Sequence, residues 1–159
     1  MFLIHQNPKG KPTSESAIES EKIQFFDDSV SLNEVIFGSR ILNLVNGIAL
    51  KSATMHAGVS CQPVGIDFIR YFSQIKRGDI LICKAQVNHV WENIIEVGVK
   101  VLADDFLSLE QKKILSAYFI FKADSDEVIP QVIPEKLIDK KRFADAEKRR
   151  KIREKRKTN

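Results

Sequence analysis

The chain has 159 residues, of which 43% are hydrophobic, which is enough for one domain with one core. Its net charge of +4 conceals an asymmetry, because residues 136–157 carry twelve Lys or Arg against four Asp or Glu and the remainder is net acidic. Two cysteines are too few for a disulfide framework, and no apolar run approaches the roughly 20 residues of a membrane-spanning helix. We therefore expect a soluble, cytoplasmic protein without a membrane span.

Residues 5–20 are largely polar and include two prolines and a glycine. Such a composition lacks a core pattern, so residues 1–20 are predicted to form an N-terminal arm or loop. Residues 22–27 are short and rich in apolar and aromatic side chains, which predicts a strand. The main domain is accordingly predicted to begin at residue 21.

Residues 38–57 have the apolar spacing of a helix. Between residues 41 and 50 this helix is apolar nearly all round, interrupted only by Asn43 and Asn46, whereas a surface helix keeps a polar half. The pattern predicts a central helix wrapped by other elements, with Asn46 as a buried amide. Gly47 in the middle of the helix costs about 1 kcal/mol relative to alanine, which a close approach of helix to sheet would explain.

After residue 58 the apolar spacing shifts towards alternation, which predicts four long strands. These strands cover residues 64–72, 80–91, 94–102 and 114–122. Their short connections favour an antiparallel sheet, and the apolar face of a sheet must be covered by another element. The predicted fold class is therefore α+β: a curved antiparallel sheet around one long central helix, the hotdog fold, over residues 21–134.

The C-terminal residues 135–159 are predicted to form a basic helical tail with Leu137, Phe143 and Ile152 as sparse anchors. Its charge is suited to phosphate groups, but it equally fits a solvated helix with pairs such as Glu147 and Lys151. The tail has no aromatic residue other than Phe143, and the rest of the chain is net acidic, which argues against nucleic acid as a partner. The spacing of the three histidines predicts no metal site.

Several short motifs, in this order, resemble those of the hotdog-fold acyl-CoA thioesterases, the group that includes the cytosolic acyl-CoA hydrolases. The motifs are Phe37-Gly38-Ser39 at the helix start, Arg77-Gly78-Asp79 before a long strand, Ala117–Phe121 followed by the prolines at 130 and 134, and Asp145-Ala-Glu-Lys-Arg-Arg150 in the tail. The resemblance covers most of residues 28–153. It implies hydrolysis of acyl-CoA to a free fatty acid and CoA, no cofactor beyond the CoA of the substrate, and dimers that assemble into a trimer of dimers.

The resemblance also implies where catalysis would occur. The family's catalytic aspartate corresponds to Asn46, whose amide can donate a hydrogen bond to a carbonyl oxygen but is not a base. The family's asparagine before the helix corresponds to Ser31, and Asn33 stands nearby as a substitute for the missing amide. The backbone N–H groups of Gly38 and Ser39 are the expected donors to the oxyanion.

Three explanations of Asn46 remain open at this point. The chain is a weakened or inactive relative that still binds acyl-CoA, or another carboxylate such as Glu34 or Asp67 supplies the base, or the aspartate was replaced deliberately to trap a substrate. The third does not explain the departures at Ser31 and Ser39. The main functional hypothesis is a hydrolase weakened at this position, and the alternative is a non-catalytic acyl-CoA-binding regulatory protein.

The resemblance further predicts the residues that bind CoA. Asn93 and Ile94 correspond to a Thr-Ser pair at the family's tight strand connection. The phosphates of CoA require cations, and guanidinium groups suit them particularly well. In the tail, the predicted phosphate ligands are Arg142, Lys148, Arg149 and Arg150.

Overall fold

The structure is a computed structural model that describes residues 9–19, 23–24, 38–105 and 107–157. Three short strands, β1 (Lys11–Pro12), β2 (Ile18–Glu19) and β3 (Ile23–Gln24), precede the helix α1 (Gly38–Ala57). Four long strands follow: β4 (Cys61–Tyr71), β5 (Ile80–Trp91), β6 (Ile94–Asp104) and β7 (Gln111–Ala123). The short strand β8 (Val132–Ile133) and the helix α2 (Leu137–Lys157) complete the chain.

The four long strands form one antiparallel sheet with the short strand β2 at one edge, in the order β2-β5-β6-β7-β4, and the short strand β3 also pairs with β5. The two-residue connection between β5 and β6 forces these strands to run antiparallel, as the short links predict. Helix α1 packs against all four long strands. The predicted α+β hotdog fold, with its antiparallel sheet, long helix and C-terminal helix, is confirmed.

The two faces of the sheet differ in polarity, because successive side chains of a strand point to opposite faces. Val97 of β6 lies opposite Phe119 of β7, and both belong to the apolar core shared with α1. Gly98 and Asp67 both lie opposite Tyr118, whose ring contacts Arg149 of α2. We call the side of the sheet that carries Val97 and Phe119 the core face, and the side that carries Asp67 and Tyr118 the α2 face.

Helix α1 buries one side rather than its whole circumference. Its fully buried residues are Ile41, Val45, Ala49, Ser52, Ala53 and His56. The prediction that Asn46 is a buried amide is wrong, because Asn46 is half-buried at the margin of this side. The explanation of Gly47 by a close approach to the sheet is also wrong, because Gly47 is exposed and an added Cβ would meet no described atom within 4 Å.

Helix α2 attaches to the sheet differently from the prediction. Leu137 is 85% exposed and Ile152 is also exposed, so neither is an anchor. Phe143 is half-buried and stacks on the ring of His89 with centroids 4.1 Å apart, as an anchor should. The fully buried residues of α2 are Asp139 and Ala146. The α2 face of the sheet is partly polar, so polar contacts replace the aliphatic anchors that an apolar face would require.

The described part of the N-terminal arm packs against the sheet through polar groups. The buried Ser16 hydroxyl accepts a hydrogen bond from the Val87 N–H at 3.0 Å, and its carbonyl accepts one from the Ser52 hydroxyl at 2.7 Å. Thr13, also buried, donates to Asp139 of α2 at 3.0 Å. Such packing leaves no apolar pattern, which explains why the sequence predicts only an arm or loop. The division of the chain at residues 20 and 134 stays a prediction.

Candidate functional site

A cavity of about 400 Å³ opens on the α2 face, between α2, the connection of β5 to β6, and the edge strand β4. Its size falls within the range of small-molecule sites. Four cationic side chains of α2 line it: Arg150, Arg153, Arg156 and Lys157. Apolar contacts come from Val64 and Ile120, whose side chains lie on the sheet side of the cavity. The cavity therefore combines a positive wall with an apolar floor.

The tight connection between β5 and β6 forms one end of the cavity. Glu92 adopts a left-handed backbone conformation with φ of 55°, as one residue of so short a turn commonly does. The carbonyl of Asn93 accepts a hydrogen bond from the Ala123 N–H at 2.7 Å, and that of Glu92 accepts one from the Ile129 N–H at 2.9 Å. These bonds fix Asn93 and Ile94 in the cavity lining.

An ion-pair network lies behind the positive wall. The guanidinium of Arg149 binds both carboxylate oxygens of Glu96, at 2.7 Å (Nη2–Oε1) and 3.2 Å (Nε–Oε2). Arg153 Nη1 lies 3.3 Å from Glu96 Oε2 and 3.0 Å from Asp67 Oδ2. Glu96 is fully buried, whereas Asp67 and Arg153 both line the cavity. The guanidinium of Arg153 therefore joins β4 and β6 to α2.

Two further residues complete the environment of Glu96. The side-chain amide of Asn88 donates to Glu96 Oε1 at 3.1 Å. Gly98 makes room for this amide, since a Cβ at that position would lie 2.6 Å from Asn88 Nδ2. The buried carboxylate thus receives hydrogen bonds from Asn88, Arg149 and Arg153, which offset the cost of removing it from water.

Trp91, the only tryptophan of the chain, forms a wall of the cavity. Its indole N–H donates to Glu147 Oε2 at 2.7 Å, and this bond lowers the pKa of the Glu147 carboxyl. The guanidinium carbons of Arg153 and Arg150 lie 5.3 and 5.6 Å from the ring centre. The indole is therefore held in one orientation, with cations around it.

The structure brings three of the six predicted CoA-binding residues together in the cavity lining: Asn93, Ile94 and Arg150. Arg149 lies behind the wall, bound to Glu96. The remaining two lie outside the lining. Arg142 is 3.5 Å from Asp139 near the start of α2, and Lys148 is exposed and 3.6 Å from Asp145.

Sequence reasoning missed the other three cations of the lining, Arg153, Arg156 and Lys157. The signal that identifies them is helical spacing, since Arg150, Arg153 and Lys157 follow one another at three and four residues and so share a face of α2.

The predicted catalytic residues lie at the other helix. Gly38 and Ser39 are the first two residues of α1, where backbone N–H groups without helical partners can bind an oxyanion. Asn46 lies two turns further along the same helix. Ser31 and Asn33 are outside the described residues, as is Glu34, one of the two alternative bases.

Asp67, the other alternative base, lies on the α2 face and is bound to Arg153 at 3.0 Å. Within one protomer it is therefore separated by the sheet from α1. Across residues 9–19, 23–24, 38–105 and 107–157, no three His, Cys, Asp or Glu are grouped so as to hold a metal ion. Neither α1 nor α2, the two α-helices of that part of the chain, is both long and apolar enough to cross a membrane.

Known proteins share this architecture. A model of the thioesterase superfamily matches residues 33–106. Protein VdlD of Helicobacter pylori is 27% identical over 128 residues, which are 79% of this chain and 74% of that protein. Acyl-coenzyme A thioesterase 11 of Mus musculus is 31% identical over 117 residues, which are 72% of this chain but only 20% of that longer protein. Among solved structures, the acyl-CoA hydrolase of Staphylococcus aureus is similar, with a TM-score of 0.85 and 27% sequence identity. The match covers 93% of this chain and 92% of that one. That hydrolase was determined in complex with butyryl-CoA, CoA and CoA disulfide.

Proposed function

We propose that this chain, which has the hotdog thioesterase fold and resembles the acyl-CoA thioesterases in sequence, hydrolyses acyl-CoA to a free fatty acid and CoA. The observation that carries the proposal is the cavity in which Asn93 and Ile94 meet Arg150, three residues predicted to bind CoA. The similar Staphylococcus aureus hydrolase was determined with CoA compounds bound, which supports the same ligand here. The reaction requires water and no metal or further cofactor, and we place it in the cytoplasm.

The cavity is suited to the nucleotide end of CoA, which carries a 3′-phosphate and a diphosphate. Arg150, Arg153, Arg156 and Lys157 supply cations on one face of α2, and guanidinium forks bind phosphate oxygens in pairs. Trp91 offers an aromatic surface beside them for the base. Arg142 and Lys148 have no part in this proposal.

The thioester end must reach the start of α1, where the N–H groups of Gly38 and Ser39 would stabilise the oxyanion. Helix α1 packs on the core face of the sheet, whereas the cavity lies on the α2 face. A single ligand cannot span both through the sheet of one protomer. We therefore infer that the helix start of a second subunit completes the site.

The edge strand β4 is the surface on which a second copy would pair. It pairs with β7 on one side, and it exposes a row of large apolar side chains. They are Val64, Ile66, Phe68, Ile69 and Tyr71. An exposed apolar edge strand favours pairing with another strand. We propose an antiparallel dimer through β4, and the trimer of dimers that the resemblance implies is a further step of the same proposal.

The dimer is tested by placing a charge on this edge. Ile66→Lys should lower the molar mass measured by light scattering to that of a smaller assembly, and thiol release should fall with it. Leu107→Lys adds the same charge at an exposed turn residue outside β4 and should leave the mass unchanged. An Ile66→Lys protein with the mass of the wild type would contradict pairing through β4.

The rate of hydrolysis is expected to depend on Asn46, which stands where the resemblance places a catalytic aspartate. General-base catalysis contributes about 10²–10⁴-fold, so an asparagine at the base position is expected to leave a slow hydrolase. The alternative function is a non-catalytic acyl-CoA-binding protein, which the presence of Asn46 favours. Asp67 is engaged with Arg153 on the opposite face of the sheet, which weighs against it as the replacement base.

The deciding experiment is thiol release from short-chain to long-chain acyl-CoAs by the wild type and by Asn46→Asp. We expect a slow wild type and at least a hundredfold increase in the variant. Asn43→Asp is the matched control, because it places the same charge on the same helix at an exposed position. Binding of acyl-CoA without thiol release by either protein would overturn the hydrolase and establish the binding protein.

A further inference from the structure

The guanidinium of Arg153 is shared by two carboxylates in different surroundings. Glu96 is completely buried, lies outside the cavity lining, and is also bound by Arg149 and Asn88. The Asp67 side chain is 17% exposed and lines the cavity, and Arg153 is its one ion-pair partner in the described part of the chain. Glu96 therefore cannot release the guanidinium into water, whereas Asp67 can.

The backbone around Asp67 also differs from that around Glu96. Asp67 lies on the edge strand β4, where the register with β7 is interrupted between Asp67 and Arg70, and Phe68 adopts a positive φ of 52°. Glu96 lies on β6, a central strand paired on both sides. A side chain at an irregular edge can move away from its partner at less cost than one in the middle of a sheet.

We propose that Asp67 and Glu96 tune the affinity of the cavity for phosphate in opposite directions. Glu96 is a positioning residue, which holds Arg153 in the cavity wall together with Arg149. Asp67 is a competitor, which occupies the guanidinium of Arg153 until the phosphate of the ligand displaces it. The inference rests on the proposed function, since it takes the nucleotide end of CoA as the ligand.

Simple electrostatics predicts something different. Both carboxylates are negative charges close to a phosphate site, so removing either one should strengthen the binding of an anion. In our proposal, only the loss of Asp67 strengthens binding. The loss of the Glu96 charge weakens it, because Arg149 and Arg153 lose the group that fixes their side chains. Opposite signs from two residues on one guanidinium therefore distinguish the two explanations.

The fluorescence of Trp91 provides the measurement, because it is the only tryptophan and lines the cavity. Titrations with CoA, dephospho-CoA and pantetheine separate the 3′-phosphate and the nucleotide from the remaining ligand. For Asp67→Asn we expect the Kd of CoA to fall about fivefold. For Glu96→Gln we expect it to rise about tenfold, with no comparable change for pantetheine.

Glu92→Gln is the matched control, because it removes a carboxylate from the cavity lining that makes no ion pair within the described residues. Its effect measures general electrostatics and should be smaller than that of Asp67→Asn. Where Glu96→Gln does not fold, as judged by its melting curve, Glu96→Asp replaces it. This variant retains the charge but is too short to hold both guanidinium groups, and it should also raise the Kd.

Two results would overturn the inference while leaving the function in place. One is a shift of the Kd in the same direction for the Asp67 and Glu96 variants, and the other is an Asp67→Asn effect no larger than that of Glu92→Gln. A wild type that does not bind CoA would instead remove the proposed function, and the inference with it. The wild-type titration thus separates the two failures.

Discussion

Arg149 of α2 and Glu96 of β6 form a two-pronged ion pair, with distances of 2.7 and 3.2 Å, beneath the surface of the protein. Glu96 is fully buried, and the Arg149 guanidinium carbon lies 3.6 Å from the centre of the Tyr118 ring. Removing two charges from water is costly, and the cost is offset only while each retains its partner and its hydrogen bonds. The attachment of α2 therefore depends on charge as well as on apolar contacts.

The first prediction concerns Arg149. Replacing it with methionine leaves Glu96 buried with Arg153 as its remaining cation, and we expect the free energy of unfolding to fall by about 3 kcal/mol. Lys148→Met removes a neighbouring cation that is 77% exposed and should cost less than about 1 kcal/mol. Urea unfolding measures both. Equal losses for the two variants would show that the buried pair has no special role.

The second prediction concerns Gly98. In Gly98→Ala, the new Cβ would lie 2.6 Å from Asn88 Nδ2, so the amide must move and lose its bond to Glu96. We expect a loss of about 1–3 kcal/mol in the free energy of unfolding. Gly47→Ala should instead raise the free energy of unfolding by about 1 kcal/mol. Its Cβ would meet no described atom within 4 Å, and alanine favours a helix over glycine by that amount. A stabilised Gly98→Ala protein would contradict the packing of Asn88.

The fold could be predicted because its elements follow simple periodic patterns. Strand β5 begins and ends at the predicted residues, Ile80 and Trp91, since turn residues flank a run rich in β-branched and aromatic side chains. Strand β4 was predicted less well. Its alternation breaks at Phe68, where a positive φ shifts the register, and no periodic pattern reveals such an irregularity.

The site could be predicted only in part, for a physical reason. The resemblance indicates Asn93 and Ile94, the charge of the CoA phosphates indicates Arg150, and all three line the cavity. The network behind them joins residues 53 and 86 positions apart, Arg149 with Glu96 and Arg153 with Asp67. In the sequence these acidic residues are ordinary members of alternating strands. Their role depends on which face of the sheet α2 covers, and this is a tertiary property.

The third prediction concerns Asp139, which links the start of α2 to the N-terminal arm and the sheet. Burial alone would raise its pKa, but hydrogen bonds from Gln86, the Lys136 N–H and Thr13 lower it below the ordinary 3.8. A lowered pKa in the folded state means that the stabilisation is present above pH 3.8 and is lost as the pH falls through the folded value. Asp139→Asn should therefore cost about 1–3 kcal/mol at pH 7.

Urea unfolding at pH 7, 5 and 3 tests this dependence. The stability difference between the wild type and Asp139→Asn should be constant at the two higher values and shrink at the lowest, because below pH 3.8 the unfolded wild-type chain binds a proton more readily than the folded one. Asp145→Asn removes a more exposed carboxylate of the same helix and should show little difference at any pH. If the difference in the free energy of unfolding between the wild type and Asp139→Asn were unchanged at pH 3, the stabilisation would not depend on the charge of Asp139.

The fourth prediction concerns the buried His56 at the end of α1. Its Nε2–H donates to the Pro130 carbonyl at 2.7 Å, which leaves Nδ1 unprotonated and without a partner among the described residues. Burial lowers the pKa of His56 below the ordinary 6.5, a shift that the Pro130 bond and Glu15 oppose and Lys11 reinforces. Below pH 6.5 the unfolded chain then binds the proton more readily, so the stabilisation present above that pH is lost as the pH falls.

His56→Gln tests this prediction, since glutamine retains an N–H donor for the Pro130 carbonyl but does not titrate. Between pH 7 and pH 5 the wild type should lose stability, by up to about 1.4 kcal/mol per pH unit for this one proton. The variant should lose less over the same range, retaining only the part due to His89, whose pKa burial also lowers. If the free energy of unfolding changed equally with pH in both proteins, His56 would not contribute to the acid sensitivity, and the prediction would be wrong.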